Sequence, residues 1–145
     1  MKIATVIASN GFISKELLLV AEDTVGHACN VSAIDFHRGE SLDVLFKRYE
    51  NALLRLDVRN GVLFLIEGKN SCHQYVASQF AYGHHNRQIV TGVNLQMLVS
   101  LLLSDSDETD PQFLALKAQQ YGKDAINIIR VNECQRENEL MCNTM

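Results

Sequence analysis

The sequence predicts an α/β fold, an open parallel four-stranded sheet flanked by helices. Three observations carry this. Short apolar runs alternate with segments of helical period four times between residues 2 and 103. The run Val62–Ile66 is apolar without a break, as strands covered on both faces must be. Turn and cap signals, among them Gly26, Asn60-Gly61 and Asp110-Pro111, punctuate the alternation. Strands that alternate with helices imply parallel pairing with helices on both faces of one sheet.

The first strand is read over Lys2–Ala8. In the segment after it, Ile13, Leu17, Val20, Ala21 and Thr24 recur at helical spacing up to Gly26, a helix stop. Val31–Phe36 is the second strand. A helix capped at Ser41 follows, with Leu42, Leu45, Phe46, Tyr49, Leu53 and Leu56 on one apolar face. Val62–Ile66 is the third strand and belongs at the centre of the sheet. After the loop Gly68–Cys72 a helix is expected over about 73–84, with Val76, Ala77, Phe80 and Ala81 inward. Gln88–Gly92 is the fourth strand and Leu95–Leu103 a strongly apolar helix. Ser104–Asp110 reads as an acidic, solvated loop. Asp110 before Pro111, the single proline, marks the start of a last helix that runs to about Tyr121-Gly122. Ile126–Val131 is a short β-rich run, and from Asn132 to Met145 the chain is a polar tail.

At 145 residues one domain is expected, residues 1–131, with one tail, 132–145. The 47% hydrophobic and 21% charged content is that of an ordinary soluble domain, and no apolar run approaches the roughly 20 residues of a membrane span. Met1-Lys2-Ile3 enters a strand directly, without the pattern of a secretory leader, so a cytoplasmic location is expected. Cys29, Cys72, Cys134 and Cys142 lack zinc-type spacing and read as free thiols. A net charge of −4 with 13 Lys+Arg provides no basic stripe, which excludes nucleic acid as the natural partner class. No His/Cys pair has the i, i+4 spacing of a helical metal site, so no metal is assigned, and no cofactor fingerprint is present.

In an open parallel sheet, ligands gather at the carboxyl edge of the strands. The first such turn is Ser9-Asn10-Gly11, which puts Asn10 on the working surface. Its simplest reading is a turn residue that caps the following helix, and the sharper one is a binding role. His27, His37 and the pair His84-His85 read as surface residues.

The stretches KIATVIASNG, IDFHRGE (34–40), GVLFLIEG (61–68) and GVNLQMLVSLL (92–102) resemble the enzyme IIA component of the mannose-family phosphoenolpyruvate-dependent sugar phosphotransferase system (PTS), in the same order and spacing from about residue 1 to about 130. The resemblance implies the mannose-type IIA fold: the four parallel strands plus a short antiparallel fifth strand, here Ile126–Val131, exchanged between the subunits of a homodimer. An apolar edge strand paired in this way is also protected from aggregation. The implied activity is phosphotransfer. In the family the position of Asn10 is a histidine that carries the phosphoryl group, whereas an amide nitrogen has its lone pair delocalised and is no nucleophile. Whether the chain is an active phosphotransferase is therefore open.

The neighbouring loop departs from the family as well. There an aspartate that orients the histidine precedes a Thr-Trp-Gly-Gly-Ser-Pro type segment that cradles phosphate. Here the loop is Glu67-Gly68-Lys69-Asn70-Ser71-Cys72-His73. Asp35-Phe36, Gly39-Glu40 and Gly92-Val93-Asn94 match the family, while Gln96 stands where proline is usual. The resemblance implies HPr, a IIB component and the membrane IIC/IID components as partners, with peripheral association to a permease. One reading is a regulatory or docking subunit that cannot be phosphorylated at the usual position. The alternative is an active phosphocarrier between HPr and IIB that uses Cys72 or His73, since a thiol at a helix start beside an imidazole is activated. A third is an unrelated anion-binding domain with charge from Lys69 and Arg38.

Overall fold

The computed structural model describes residues 1–131. The element order is β1 (Ala4–Ala8), α1 (Ile13–Val25), β2 (Val31–Ile34), α2 (Leu42–Arg55), β3 (Val62–Ile66), α3 (Cys72–Ala81), β4 (Arg87–Thr91), α4 (Leu95–Ser104) and α5 (Pro111–Asp124). The strands form one parallel sheet in the order β2-β1-β3-β4. β1 and β3 occupy the middle and are buried at every residue, as their unbroken apolar runs require.

Successive side chains of a strand point to opposite faces, and the two faces build two separate cores. Ala4, Val6, Ala8, Val62, Phe64 and Ile66 meet Leu45, Tyr49 and Ala52 of α2 and Val76 and Ala77 of α3. Ile3, Ile7, Leu63 and Leu65 meet Ala21 of α1, Met97, Leu98 and Leu101 of α4, and Leu114 and Ala118 of α5.

Four helices start on side-chain caps: Ser41, Ser71, Asn94 and Asp110 each accept a backbone N–H of the first turn. Helix α1 differs, because its cap residue Phe12 makes no such bond. The Ser9 hydroxyl accepts the Ser14 N–H at 2.6 Å instead. Gly61 turns the chain into β3 at φ +97°, where a Cβ would lie 2.2 Å from the Asn86 carbonyl oxygen. Only glycine fits there.

Several element bounds depart from the sequence reading: β1 begins at Ala4, β4 lies one residue earlier at Arg87–Thr91, and α5 runs on to Asp124. Helix α3 begins one residue early, at Cys72, and ends at Ala81, where Tyr82 leaves helical geometry before Gly83. Strand β2 ends at Ile34, and Phe36 makes a single antiparallel bridge to Gly11 instead. The segment 126–130 forms no strand within the single chain. Ile126, Ile128 and Ile129 are exposed, since a strand exists only where another backbone accepts its hydrogen bonds. The tail from Asn132 lies outside the described residues. Among those residues no helix is long and apolar enough to cross a membrane.

Candidate functional site

The carboxyl ends of β1, β2 and β3 converge on the turn Ser9-Asn10-Gly11. Three backbone bonds tie it down: Ser9 N–H to the Ile34 carbonyl (3.2 Å), Gly11 N–H to the Phe36 carbonyl (2.9 Å) and Glu67 N–H to the Ala8 carbonyl (2.9 Å). The Asn10 backbone N–H donates to Glu67 Oε2 at 2.9 Å. Glu67 and Asn10 are thus brought together, but through the main chain of Asn10. The Asn10 side chain is exposed and does not cap α1, a task that belongs to Ser9.

Past Glu67 the loop turns through left-handed backbone at Gly68 (φ +74°) and Asn70 (φ +59°). Asparagine accepts this conformation more readily than most residues. The Asn70 N–H donates to Gln74 Oε1 (2.8 Å) and the Ser71 hydroxyl accepts the Gln74 N–H (3.2 Å), so the loop closes upon the first turn of α3. The Ser71 hydroxyl also donates to the Glu67 carbonyl at 3.4 Å. Lys69 is exposed above the loop.

Cys72 and His73 are neighbours in sequence with opposite environments. The Cys72 thiol is exposed. His73, offered by the sequence as a candidate acceptor, is completely buried. The first turn of α3 packs its imidazole into an aromatic pocket, with Nδ1 3.1 Å from the Tyr49 hydroxyl and the Phe36 ring edge-on at 5.9 Å. Nε2 is buried and makes no hydrogen bond. Burial pushes the His73 pKa down, against a smaller opposing pull from the Ser9 backbone and the Glu67 charge. The ring is kept neutral, and in this packing it offers no lone pair to an incoming phosphoryl group.

On the β2 side the charges are knit together. Asp35 is buried, and its Oδ2 lies 2.8 Å from Lys15 Nζ of α1 and 3.4 Å from His37 Nε2. Its other oxygen, Oδ1, is buried without a hydrogen-bond partner. Arg48 of α2 donates to the Asp35 carbonyl (3.0 Å) and clamps both oxygens of Glu40, and Glu40 also accepts the His37 N–H at 2.7 Å. The Arg48 guanidinium and that N–H hold the Glu40 carboxyl down at about 2, well below the usual range. His37, expected to be a simple surface residue, is partly covered and carries the Phe12 ring at 4.6 Å. His27, His84 and His85 are surface residues as expected. Arg38 is exposed.

Beside Asn10 the α1 face is apolar. Phe12, Ile13, Leu17 and Val20 of this region join Leu95 of α4 around an open groove of about 390 Å³, with Glu16 on its wall. Phe12 is 61% exposed. A second groove of about 720 Å³ runs along the open edge of β4 against α5, between Gln88, Val90, Ala115, Gln119 and Ile126.

Sequence reasoning did not single out Lys15, Phe12, Arg48 or Tyr49. Asp35 and His37 did carry a readable signal, two residues apart where a strand runs out, the spacing that points side chains the same way. Lys15 and Arg48 reach the site from two helices, so only tertiary packing identifies them.

Residues 4–116 match the family model described as EIIA-man, PTS system fructose IIA component. The mannose-specific EIIAB component of Escherichia coli strain K12 is 30% identical over 136 residues, which are 94% of this chain and 42% of that protein. The chain therefore spans about two fifths of the length of that relative. Among solved structures, the mannose/sorbose-specific IIA subunit from Enterococcus faecalis superposes with a TM-score of 0.80 at 21% identity, over 90% of this chain and 96% of that one. A PTS IIA protein associated with the fucose utilization operon of Streptococcus pneumoniae superposes with a TM-score of 0.70 at 22% identity, over 92% and 96%. The two structures share the fold.

Proposed function

The chain belongs to the mannose-type family of PTS IIA components, and from that membership we propose that it serves a sugar-uptake phosphorelay as a regulatory or docking subunit that carries no phosphate at position 10. One observation carries the reading: the turn where the family resemblance implies the acceptor histidine holds Asn10, an exposed amide. An amide at that place keeps the shape and hydrogen-bonding capacity of the surface without a nucleophilic nitrogen. Glu67, which would orient an acceptor ring, is engaged by the Asn10 backbone instead. The loop Gly68–Cys72 is hydrogen-bonded onto the first turn of α3.

The docking surface is the carboxyl edge with the apolar groove around Phe12. Its partners are HPr, a IIB component and the membrane IIC/IID components, at a cytoplasmic face. A homodimer fits the same picture, with Ile126–Val131 of one copy laid along the open β4 edge of the other, since both that segment and that groove expose apolar surface.

The alternative, an active carrier between HPr and IIB, is favoured by the exposed Cys72 in the first turn of α3. The burial of His73 weighs against that residue in the same role. The two readings separate in a reconstituted relay of enzyme I, HPr, the chain and IIB. We expect capture of IIB or permease components with no onward phosphoryl transfer to IIB, and Asn10→His alone should restore little. Efficient onward transfer that disappears in Cys72→Ser would establish the carrier. Failure to capture any relay protein would remove the docking reading.

A further inference from the structure

The chain holds an imidazole–carboxylate pair at its working edge, away from position 10. His37 Nε2 lies 3.4 Å from Asp35 Oδ2, and the Asp35 side chain is 8% exposed. Asp35 is held from two sides, by Lys15 Nζ at its carboxylate and by Arg48 at its carbonyl. The His37 ring is positioned by Phe12, and its backbone N–H is anchored on Glu40, which Arg48 clamps in turn. Asp35 and Glu40, the two acidic residues on either side of His37, are thus both held by Arg48 of α2.

A carboxylate facing Nε2 favours the tautomer with its proton there and leaves the lone pair on Nδ1. His37 Nδ1 has no hydrogen-bond partner among the described residues, and the side chain is 36% exposed. Lys15, paired with Asp35, and the exposed Arg38 next in sequence put positive charge in the same region. The other histidines lack this combination. His73 is buried, and His27, which faces Glu22, lies in the loop before β2, away from the strands' carboxyl ends.

We propose that His37 is a phosphoryl-accepting residue, charged by a phosphohistidine protein of the relay, so that the docking subunit receives phosphate as a signal beside position 10. This rests on the reading of the chain as a relay component. The His37 Nδ1 lone pair forms the new P–N bond as the P–N bond of the donor's ring-protonated phosphohistidine breaks, and the bonding pair leaves with the donor as a neutral imidazole. The positive ring charge passes to phosphorylated His37, where Asp35 faces the Nε2–H. Atoms, charge and protons balance.

The test treats the full chain with HPr phosphorylated from phosphoenolpyruvate by enzyme I and, separately, with phosphoramidate as a protein-free N–P donor. Peptides are mapped by mass spectrometry under alkaline conditions. The expected result is one acid-labile phosphoryl group on the peptide containing His37, lost in His37→Gln and kept in Cys72→Ser, with matching thermal unfolding of the variants as the folding control. A label that persists in His37→Gln, or none on the wild type from either donor, overturns the proposal. Capture of phospho-HPr without label also overturns it while leaving the docking reading intact. Label from phosphoramidate with no capture of HPr keeps His37 and removes the relay reading.

Discussion

The two layers that cover the sheet are packed by different chemistry. On the α2–α3 side the core is aromatic and partly polar: Phe64, Tyr49 and Phe80 lie ring against ring, and the buried hydroxyl of Tyr49 meets the buried His73 imidazole. On the α1–α4–α5 side the core is almost entirely aliphatic, from Ile3, Leu63 and Leu65 to Leu98, Leu101 and Leu114. The difference reaches the working edge. The first layer sends it the Arg48 guanidinium and the buried imidazole, whereas the second sends an apolar groove and Lys15. A site between them can offer charge to one part of a partner and grease to another, and the acid response of a buried imidazole belongs to the first layer.

Substitutions in the two layers test that division. The largest effect is expected from Leu101→Ala in the aliphatic layer. Leu101 is fully buried, and the lost methyl groups plus the cavity should cost about 2–5 kcal/mol in urea unfolding, by the same amount at neutral and mildly acid pH. A strongly pH-dependent loss would break the comparison. Tyr49→Phe in the aromatic layer keeps the volume but leaves His73 Nδ1 without its partner, which should cost about 1–3 kcal/mol. If that variant is as stable as the wild type, the hydroxyl contributes only shape.

The smallest effect is on the pH axis, and its sign follows from burial. The folded protein holds His73 below its ordinary pKa, so as the pH falls the unfolded chain takes up the proton first. Stability from this group is complete above about 6.5, the ordinary imidazole value, and declines as the pH drops below it. Glu40 acts in a separate window. Its pKa is lowered from 4.5 to about 2, so its contribution is complete above the ordinary carboxylate value and is lost as the pH falls toward 2. Thermal unfolding of the wild type and of His73→Gln should begin to differ in slope as the pH falls below about 6.5, the wild type losing stability more steeply. Identical slopes throughout would place the acid response elsewhere.

The fold was largely legible because β1 and β3 are continuous apolar runs and the helices carry caps at Ser41 and Asp110 that sequence alone reveals. The site was legible in part. Asn10 and Glu67 do meet, as their strand-end positions promised, although through backbone and carboxylate. The burial of His73 was not legible, because its neighbours Tyr49 and Phe36 lie on other elements, and no local pattern announces an aromatic pocket built from three of them. His37 was left as a surface residue for the same reason: Phe12, Lys15 and Arg48, which together with Asp35 make it a positioned imidazole, come from α1, its cap and α2.

By itself the sequence determined the order of strands and helices along the chain, their faces and the placing of an amide, Asn10, at the first strand-end turn. These are properties of period, cap and residue type, written locally along the chain. The tertiary structure decided which way each functional side chain looks. It hid His73, exposed Cys72 and set Asp35 against His37, because burial and ion pairing depend on helices that meet only after the sheet has brought its strand ends together.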